Sequence, residues 1–346
     1  YSDTRTSALM QDSINILTHT DAWRDCARDG GVMEALKIID ANVRPPIEIT
    51  FRADEIGQDA FGVNMQNAVL LAALRKRAAK SKQIELLNAK LESFEADDFG
   101  VTAKLAGKEL RAKLIVGADG RKSTVRACAG IEAKERDYGQ HAITCLISHT
   151  RSHNNTSTEF HRPSGPFTLV PLPGKTSSVV WVDFNEPADS AMRMDKRSFT
   201  RALQDRSDGV LGEITLLTGP QSWQLQSLKA ERLTARRAAL IAEAAHVLHP
   251  LGAQGLNLSL RDAASLANVI IEAVRLGQDP GAAAILAQYE RSRRVDIAGR
   301  VTGTDILNRF VSSNSPLFHR LRRAGIKSLE NFTLLRELAM RHGMAA

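Results

Sequence analysis

A glycine-rich turn after an apolar strand is the first pattern in the sequence that could serve chemistry. Leu-Ile-Val-Gly at 114–117 leads into Ala-Asp-Gly at 118–120, with Asp119 and Gly120 at the tip, and Ser123 can cap the helix that follows. Glycine lets backbone amides approach a phosphate closely, and a helix start favours negative charge. Because Asp-Gly is also common turn chemistry, the motif alone leaves a phosphate site and a plain turn equally open.

A second and more specific pattern occupies residues 240–262. A short apolar strand ends at the carboxylate Glu243, and a Pro-Leu-Gly-Ala-Gln-Gly loop at 250–255 then opens a helix. The carboxylate can hold sugar hydroxyls. The free amides between Gly255 and Asn257 can hold an electron-rich carbonyl or a ring that gains negative charge on reduction.

Nine histidines raise the question of a metal centre. The candidates with the closest spacing are His149, His153, His161, His246 and His249. Glu159 is the one acidic residue at a recognisable ligand spacing, and the first three histidines fall on predicted strands or their loop. We therefore predict no metal site, and we expect His246 to fix the loop after Glu243. No side chain stands out as a catalytic acid or base.

Composition is typical of a folded globular protein. The chain has 346 residues, 43% hydrophobic and 25% charged, with a formal net charge of +7 and a pI of about 9.4. This basic charge suits nucleic acid, an anionic cofactor or an anionic membrane surface. Aromatic residues make up only 5% and no arginine-rich run interleaves with them, so we predict no nucleic-acid partner. Three distant cysteines, without a signal sequence or an apolar run of about 18 residues, predict a cytoplasmic protein.

Hydrophobic periodicity predicts an α/β fold into which an antiparallel sheet is inserted. The elements expected first are a helix over about 4–23, a strand, turn and strand over 35–51, a helix over 67–79, and short strands from 83 to 117. The strands of the inserted sheet are expected at 141–148, 157–161, 167–172 and 177–184. The last elements are a strand at 238–242, a helix over about 252–276 and a mostly helical tail.

Together, and in this order, the turn at 114–126 and the loop at 240–262 resemble the flavoprotein aromatic hydroxylases. The segments similar to the ubiquinone-biosynthesis branch of that family are residues 5–9, 159–174, 289–296 and 304–308. The resemblance covers essentially the whole chain. The domains it implies are a Rossmann-like FAD-binding domain at 1–20, 61–130 and 231–285, a substrate domain with the antiparallel sheet at 21–60 and 131–230, and a C-terminal helical region at 286–346.

The resemblance also implies a set of cofactor contacts. Asp119 and Gly120 match the turn that serves the FAD pyrophosphate and the nicotinamide nucleotide, and Glu243 matches the carboxylate on the ribityl hydroxyls. The remaining matches are Pro250 and Gly252 beside the flavin and substrate rings, Gly255, Leu256 and Asn257 as backbone donors to the flavin pyrimidine edge, and Arg5 and Asn67 as further FAD contacts.

Two departures from the family pattern concern the cofactor. The family usually has Gly-Asp where this chain has Ala242-Glu243, and the extra methylene shifts the carboxylate by about 1.5 Å. The strand-GxGxxG-helix segment that should precede Arg5 is absent from the sequence, which opens at Tyr1 like the middle of a domain. That segment normally places a helix N-terminus under the pyrophosphate. We therefore expect FAD to be weakly bound or absent in this chain.

The reaction implied by the resemblance is hydroxylation of the aromatic ring of a polyprenylated phenol in ubiquinone biosynthesis, with NAD(P)H and O₂ as co-substrates. The alternative is a non-catalytic member of the same family, without FAD, that acts as a lipid-binding or assembly subunit. The missing segment and Glu243 favour this alternative, whereas the Asp119 turn and the 250–257 loop oppose it.

A basic stretch near the C-terminus leaves two interpretations open. Its charged residues, which lie near Leu317, Phe318 and Leu321, are Arg320, Arg322, Arg323 and Lys327. A solvated helix face is the plainer interpretation. Attachment to an anionic membrane surface, as a peripheral protein on the inner membrane, is the sharper one, and the polyprenyl substrates of the family favour it. Other proteins of the ubiquinone pathway are further expected partners.

Overall fold

The structure is a computed structural model that describes residues 3–42, 45–311, 325, 328–329 and 332–343. Its strands are β1 Thr6–Met10, β2 Gly31–Met33, β3 Ala35–Asp40, β4 Ile47–Arg52, β5 Gly62–Gln66, β6 Leu91–Ala96, β7 Val101–Leu105, β8 Lys108–Ala112, β9 Ile115–Gly117, β10 Ala133–His149, β11 Thr156–Arg162, β12 Gly165–Leu172, β13 Thr176–Phe184, β14 Ile214–Leu216, β15 Gln221–Ala230, β16 Thr234–Ala235, β17 Ala238–Leu240 and β18 His246–Val247. Its α-helices are α1 Gln11–His19, α2 Trp23–Cys26, α3 Asn67–Lys80, α4 Thr124–Cys128, α5 Asn185–Met192, α6 Lys196–Arg206, α7 Gln254–Arg275, α8 Ala283–Val311 and α9 Thr333–Gly343.

The largest sheet confirms the predicted antiparallel insertion. Its strand order is β18-β15-β10-β13-β12-β11-β3-β4, with β14 paired to β10. All neighbours are antiparallel except β11 and β3, which run parallel. Successive residues of a strand point to opposite faces, so Phe160, Phe167 and Trp181 pack in one core with residues of α5 and α6. The other face is left for the site described below.

The first predicted helix is wrong over its opening residues. The chain forms the strand β1 before α1, and β1 pairs antiparallel with β5, which in turn pairs with β2. The spacing of Ala8, Leu9, Ile14 and Leu17 predicted one helix, but Ala8 and Leu9 are buried in a strand that pairs with β5. The close approach needs Gly62, because a Cβ there would lie 2.1 Å from the carbonyl oxygen of Leu9. Tertiary pairing therefore overrides the local pattern.

A third sheet carries the two glycine-rich motifs of the sequence. Its strand β9 runs parallel to β17, and β16 pairs with β17. The fully buried Tyr289 of α8 donates a hydrogen bond to the carbonyl oxygen of Leu240 at 2.8 Å, which fixes α8 against this sheet. Strands β6, β7 and β8 form a separate meander beside it.

Most of the remaining elements agree with the sequence predictions. The structure confirms the strand-turn-strand at 35–51, the helix from 67, the strand ending at Gly117 and the long helix after the 250–255 loop. The basic residues Arg320, Arg322, Arg323 and Lys327 lie outside the described residues. Within the described part of the chain, no helix is both long enough and apolar enough to cross a membrane.

Gly31 begins β2 at the point where the small sheet meets the large one. A Cβ on this residue would lie 2.3 Å from the carbonyl oxygen of Pro171 and 2.5 Å from the Cα of Leu172, both of which are backbone atoms of β12. We expect Gly31→Ala to lower the free energy of unfolding by about 1–3 kcal/mol in urea denaturation, because the sheets must separate. Gly219→Ala is the matched control, since no atom lies within 4 Å of its added Cβ. Equal losses in the two variants would contradict the packing argument.

Candidate active site

A cavity of about 310 Å³ lies between the free face of the large sheet and the loop that precedes α7. The sheet contributes mainly apolar side chains, together with Glu159 of β11 and Thr168 of β12. The predicted loop residues that line the cavity are Pro250, Gly252, Gly255 and Leu256. Strand β1 closes a further side with Thr6, Ser7 and Ala8. Segments far apart in the chain thus meet around one largely apolar space.

Hydrogen bonds from two side chains hold β1 and β5 against the large sheet beside this cavity. The hydroxyl of Thr6 donates to Ser178 Oγ at 2.8 Å. Asn64 is buried and donates through Nδ2 to the carbonyl oxygen of Pro171 at 3.0 Å and to Ser178 Oγ at 3.1 Å. Because the buried donors on Asn64 Nδ2 are satisfied on the large sheet, the cavity wall has a fixed geometry.

The loop before α7 presents free backbone donors at the helix start. Helix α7 begins at Gln254, and no side chain caps it. The carbonyl oxygen of the N-cap residue Ala253 accepts the first hydrogen bond of the helix, from the amide of Asn257, so the predicted donor at Asn257 is engaged. The amides of Gly255 and Leu256 precede this bond and are available as donors beside the cavity. They lie at the positive end of a 22-residue helix. This arrangement suits a partly negative ring edge or carbonyl.

The side chain of Asn257 has a separate structural role. It is buried, and its Oδ1 accepts hydrogen bonds from the amide of Met10 at 2.9 Å and from Ser13 Oγ at 2.7 Å. Its Nδ2 donates to the carbonyl oxygens of Ala8 and Ala253, each at 2.8 Å. The side chain is fully occupied in joining α7 to β1 and α1, so it is not available to a ligand.

Two alanines next to the predicted contacts have left-handed backbone conformations. Ala242 has φ of 55° and Ala253 has φ of 52°. Such a conformation disfavours any residue with a Cβ by about 1–2 kcal/mol. Ala242 occupies the position where the family resemblance places glycine, a residue that adopts this conformation without the penalty of a Cβ. Strain of this kind is typical of functional sites whose surroundings determine the backbone.

Glu243 and the Asp119 turn lie side by side because β9 and β17 are parallel neighbours. The amide of Ile241 donates to the carbonyl oxygen of Gly117 at 3.0 Å, directly before the two turns. Glu243 is half-exposed, and its carboxylate accepts a hydrogen bond from Arg121 Nε at 3.3 Å. The two motifs that the sequence singled out therefore form one surface at the carboxyl ends of these strands.

The side chain of Asp119 stabilises its own turn through hydrogen bonds. Its carboxylate accepts hydrogen bonds from Ser123 Oγ at 2.5 Å and from the amides of Thr124 and Val125 at 2.7 and 3.1 Å. Ser123 caps α4 as predicted, because its hydroxyl oxygen accepts from the amide of Arg126 at 2.9 Å. The Asp119 carboxylate is thus engaged in holding the turn, rather than free for direct contact with a phosphate.

Arg5 and Asn67 also come together, at the outer end of β1 and the start of α3. The amide of Asn67 donates to the carbonyl oxygen of Arg5 at 3.0 Å, and Asn67 Oδ1 accepts from Ser7 Oγ at 2.8 Å. The Arg5 guanidinium forms a bidentate pair with Asp3, at 2.9 and 2.8 Å, and lies 3.9 Å from the ring centroid of Trp223. Hydrogen bonds from Arg5 hold the pKa of the Asp3 carboxyl below its ordinary value.

A buried carboxylate behind the loop was not identified from the sequence. Asp262 on α7 is fully buried and accepts hydrogen bonds from the amide of Ala242 at 3.0 Å, from His246 Nε2 at 2.5 Å and from Arg293 Nε at 2.8 Å. His246 is therefore joined through Asp262 to the amide of Ala242, directly before Glu243, rather than to the loop after it. The signal in the sequence was an acidic residue at helical spacing from Leu258 and Leu266, which are buried on the same face of α7.

Titratable groups that the sequence analysis weighed only as metal candidates lie at the cavity or directly behind its wall. Glu159 lines the cavity, and its carboxylate contacts the His161 ring. His249, directly before Pro250, is fully buried with its ring edge-on to Tyr138 at 5.0 Å between centroids. Burial lowers the pKa of His249 to about 4, although the charge of Glu159 acts in the opposite direction, so this imidazole is neutral around pH 7. Among the described residues, no group of three His, Cys, Asp or Glu side chains could hold a metal ion.

Comparison with a solved structure shows the fold. PqsL of Pseudomonas aeruginosa, solved in complex with 2-aminobenzoylacetate, superposes with a TM-score of 0.77 at 21% sequence identity. The match covers 94% of this chain and 89% of that one. Its extent indicates that the small sheets, the large sheet and the helices have the same arrangement in both proteins.

Sequence comparison gives the family. Residues 1–303 match the FAD binding domain family. The ubiquinone hydroxylase UbiL of Rhodospirillum rubrum is 34% identical over 344 residues, which cover 99% of this chain and 80% of that protein. The 3-demethoxyubiquinol 3-hydroxylase of Escherichia coli is 25% identical over 344 residues, 99% of this chain and 87% of the relative. The chain therefore belongs to the ubiquinone-biosynthesis hydroxylase family, whose members are FAD-dependent monooxygenases.

Proposed function

We propose that the cavity binds the ring of a polyprenylated phenol, which the enzyme hydroxylates with NAD(P)H and O₂ as co-substrates. The observation that carries this proposal is the largely apolar space between the large sheet and the 250–256 loop, built around Val170, Val180 and Val182. Apolar walls favour a prenylated ring over a charged metabolite. The relatives are named a ubiquinone hydroxylase and a 3-demethoxyubiquinol 3-hydroxylase, and these names point to the same class of substrate.

FAD fits the residues around this cavity and, when bound, supplies the chemistry that activates O₂ for ring hydroxylation. The amides of Gly255 and Leu256 would hold the electron-rich edge of its ring system, and Glu243 would hold the ribityl hydroxyls. The other contacts proposed are Asp119 and Gly120 at the pyrophosphate and the nicotinamide nucleotide, Pro250 and Gly252 beside the flavin and substrate rings, and Arg5 and Asn67 at the outer part of the cofactor. The FAD-binding residues would then come from 1–20, 61–130 and 231–285.

The protein itself has two tasks in this proposal. The apolar walls exclude water from the ring, which protects reactive species and strengthens every polar contact inside. The dipole of α7 stabilises negative charge at its start, next to Gly255. Both tasks depend on a fixed backbone between Leu248 and Leu256, since the donors belong to the main chain.

We also propose that α9 helps to place the protein on an anionic membrane, where polyprenylated substrates dissolve. Met340 is buried against Phe51 and Phe61, and Arg336 forms an ion pair with Glu55. The opposite face of the helix exposes Leu334, Leu335 and Leu338. An exposed apolar face that follows a basic stretch of sequence is typical of interfacial helices. Contact with other proteins of the ubiquinone pathway would use the same region.

The substrate proposal is tested by narrowing the cavity. We expect Val180→Phe to lower kcat/KM at least tenfold for a phenol with a short prenyl chain, because the larger ring fills substrate space. Turnover is followed by mass spectrometry of the product with one added oxygen atom, with FAD in excess and NADH or NADPH supplied. Val274→Phe is the matched control, since Val274 is exposed on α7. A hydroxylated product formed equally well by both variants would argue against this cavity as the substrate site.

The cofactor contacts are tested by titrating FAD into the protein and measuring binding by calorimetry. Glu243→Gln should weaken this binding about tenfold, since hydrogen bonds to charged groups contribute about 1.5–3 kcal/mol. The exposed Glu186→Gln serves as the control. Unchanged affinity in Glu243→Gln would remove that residue from the contacts.

The membrane proposal is tested by sedimentation with liposomes. We expect the protein to bind anionic vesicles more tightly than neutral ones, and high salt to reduce the binding because exposed charges are screened. The double variant Leu334→Ser and Leu338→Ser should bind several-fold less, whereas Leu276→Ser, an exposed leucine at the end of α7, should not differ from the unmodified protein. Equal binding to neutral and anionic vesicles would count against the proposal.

A further inference from the structure

The cavity wall formed by the described residues carries a negative charge and no positive one. Among the described residues that line it, Glu159 is the only charged side chain, and no lysine, arginine or histidine is among them. The remaining polar members include Ser157 and Thr168, next to Glu159 on β11 and β12. A cavity for an aromatic acid would require a cation or several free donors near the ring. On the sheet side this wall instead offers a single carboxylate, and the free amides of Gly255 and Leu256 on the loop side are the donors proposed for FAD.

The geometry of Glu159 leaves acceptor capacity directed at the cavity. Its Oε1 lies 2.7 Å from His161 Nε2, two residues along the same face of β11. Its Oε2 accepts only a long hydrogen bond from Thr168 Oγ1, at 3.4 Å. The side chain of Glu159 is 16% exposed and that of His161 is 12% exposed, so the pair is shielded from bulk water. A carboxylate has about four lone-pair sites, and at least one on Oε2 remains for a ligand.

Resting on the proposed function, we propose that Glu159 is the specificity-determining residue of the cavity: it accepts a hydrogen bond from the hydroxyl of a neutral phenol and excludes rings that carry a carboxylate. A phenol can donate a hydrogen bond to Glu159 through its O–H group, whereas a carboxylate group on a ring cannot. A benzoate would place a second negative charge near Glu159 in an apolar space, where like charges repel strongly. His161 is a positioning residue, because its ring holds Oε1 and turns Oε2 toward the cavity.

The orientation of the ring follows from the same contact. A hydroxyl bound at Glu159 on β11 places the rest of the ring toward the apolar side chains Val170 and Val180 and the loop at Pro250. The prenyl chain must then leave along the apolar part of the wall. Glu159 thus selects both the charge of the substrate and the end of the ring that reaches the large sheet.

The test is a binding experiment with a ligand series, performed with FAD in excess and read by calorimetry, so that it needs no turnover. The probes are 2-allylphenol, its O-methyl ether, which cannot donate a hydrogen bond, and 3-allyl-4-hydroxybenzoate. We expect the unmodified protein to bind the phenol at least tenfold tighter than the ether, as a hydrogen bond to a charged acceptor provides, and to bind the benzoate weakest of the three.

Two variants separate the roles of the acceptor and the charge. Glu159→Leu should bring the phenol-to-ether ratio close to one, and Glu159→Gln should raise the affinity for the benzoate several-fold. Glu186→Gln, on the exposed surface of α5, should leave all ratios unchanged. If a Glu159 variant loses affinity for phenol and ether alike, its defect is merely structural, and this result contradicts the proposal. The proposal is also contradicted if the benzoate binds the unmodified protein as tightly as the phenol does. If the ratios hold but no ring is hydroxylated, the proposed reaction fails while the role of Glu159 stands.

Discussion

The arrangement of the site depends on one buried charge, the carboxylate of Asp262. A fully buried carboxylate is costly unless hydrogen-bonded partners surround it, and here the backbone of Ala242, the ring of His246 and the guanidinium of Arg293 supply them. Each partner comes from a different element: the turn that carries Glu243, the strand β18 and the helix α8. Removal of any one would leave a buried charge short of a partner, at about 3–5 kcal/mol. The four elements are therefore held in one arrangement.

Two different backbone geometries give the cavity its shape. In the large sheet, the alternation of side chains sends Phe160 to the core and Glu159 to the cavity, so a single strand forms both. At the loop before α7, Gly252 and Ala253 have left-handed backbone conformations that turn the chain into the helix. The first amides of that helix have no hydrogen-bond partner within it. A regular sheet and an irregular loop thus face each other, and the backbone amides of the loop complement the single carboxylate of the sheet.

Local patterns were sufficient for much of the fold. The strands of the inserted sheet alternate with period two, and the helix after the 250–255 loop has a buried stripe, so both could be predicted from neighbouring residues alone. The strand at Thr6–Met10 could not, because its partner β5 is more than fifty residues away and the spacing of its apolar residues also suits a helix. The same limit applies to the site. Motif residues such as Glu243 were found by resemblance, whereas Glu159 becomes meaningful only when β11 is paired with β12 and placed opposite the loop.

The chain of ion pairs along α8 has a thermodynamic consequence. Arg293 and Arg300 both bind Asp296, at 2.9 and 2.7 Å, and Arg300 also donates to the side chain of Gln254, the first residue of α7. The conformational stability of helix α8 is therefore coupled to that of the loop that faces the cavity. A ligand that orders the loop must stabilise α8, and anything that clamps α8 must raise the affinity for that ligand by the same factor, because linkage is reciprocal. A contact on the outer surface of α8 could in this way tune the site without touching it.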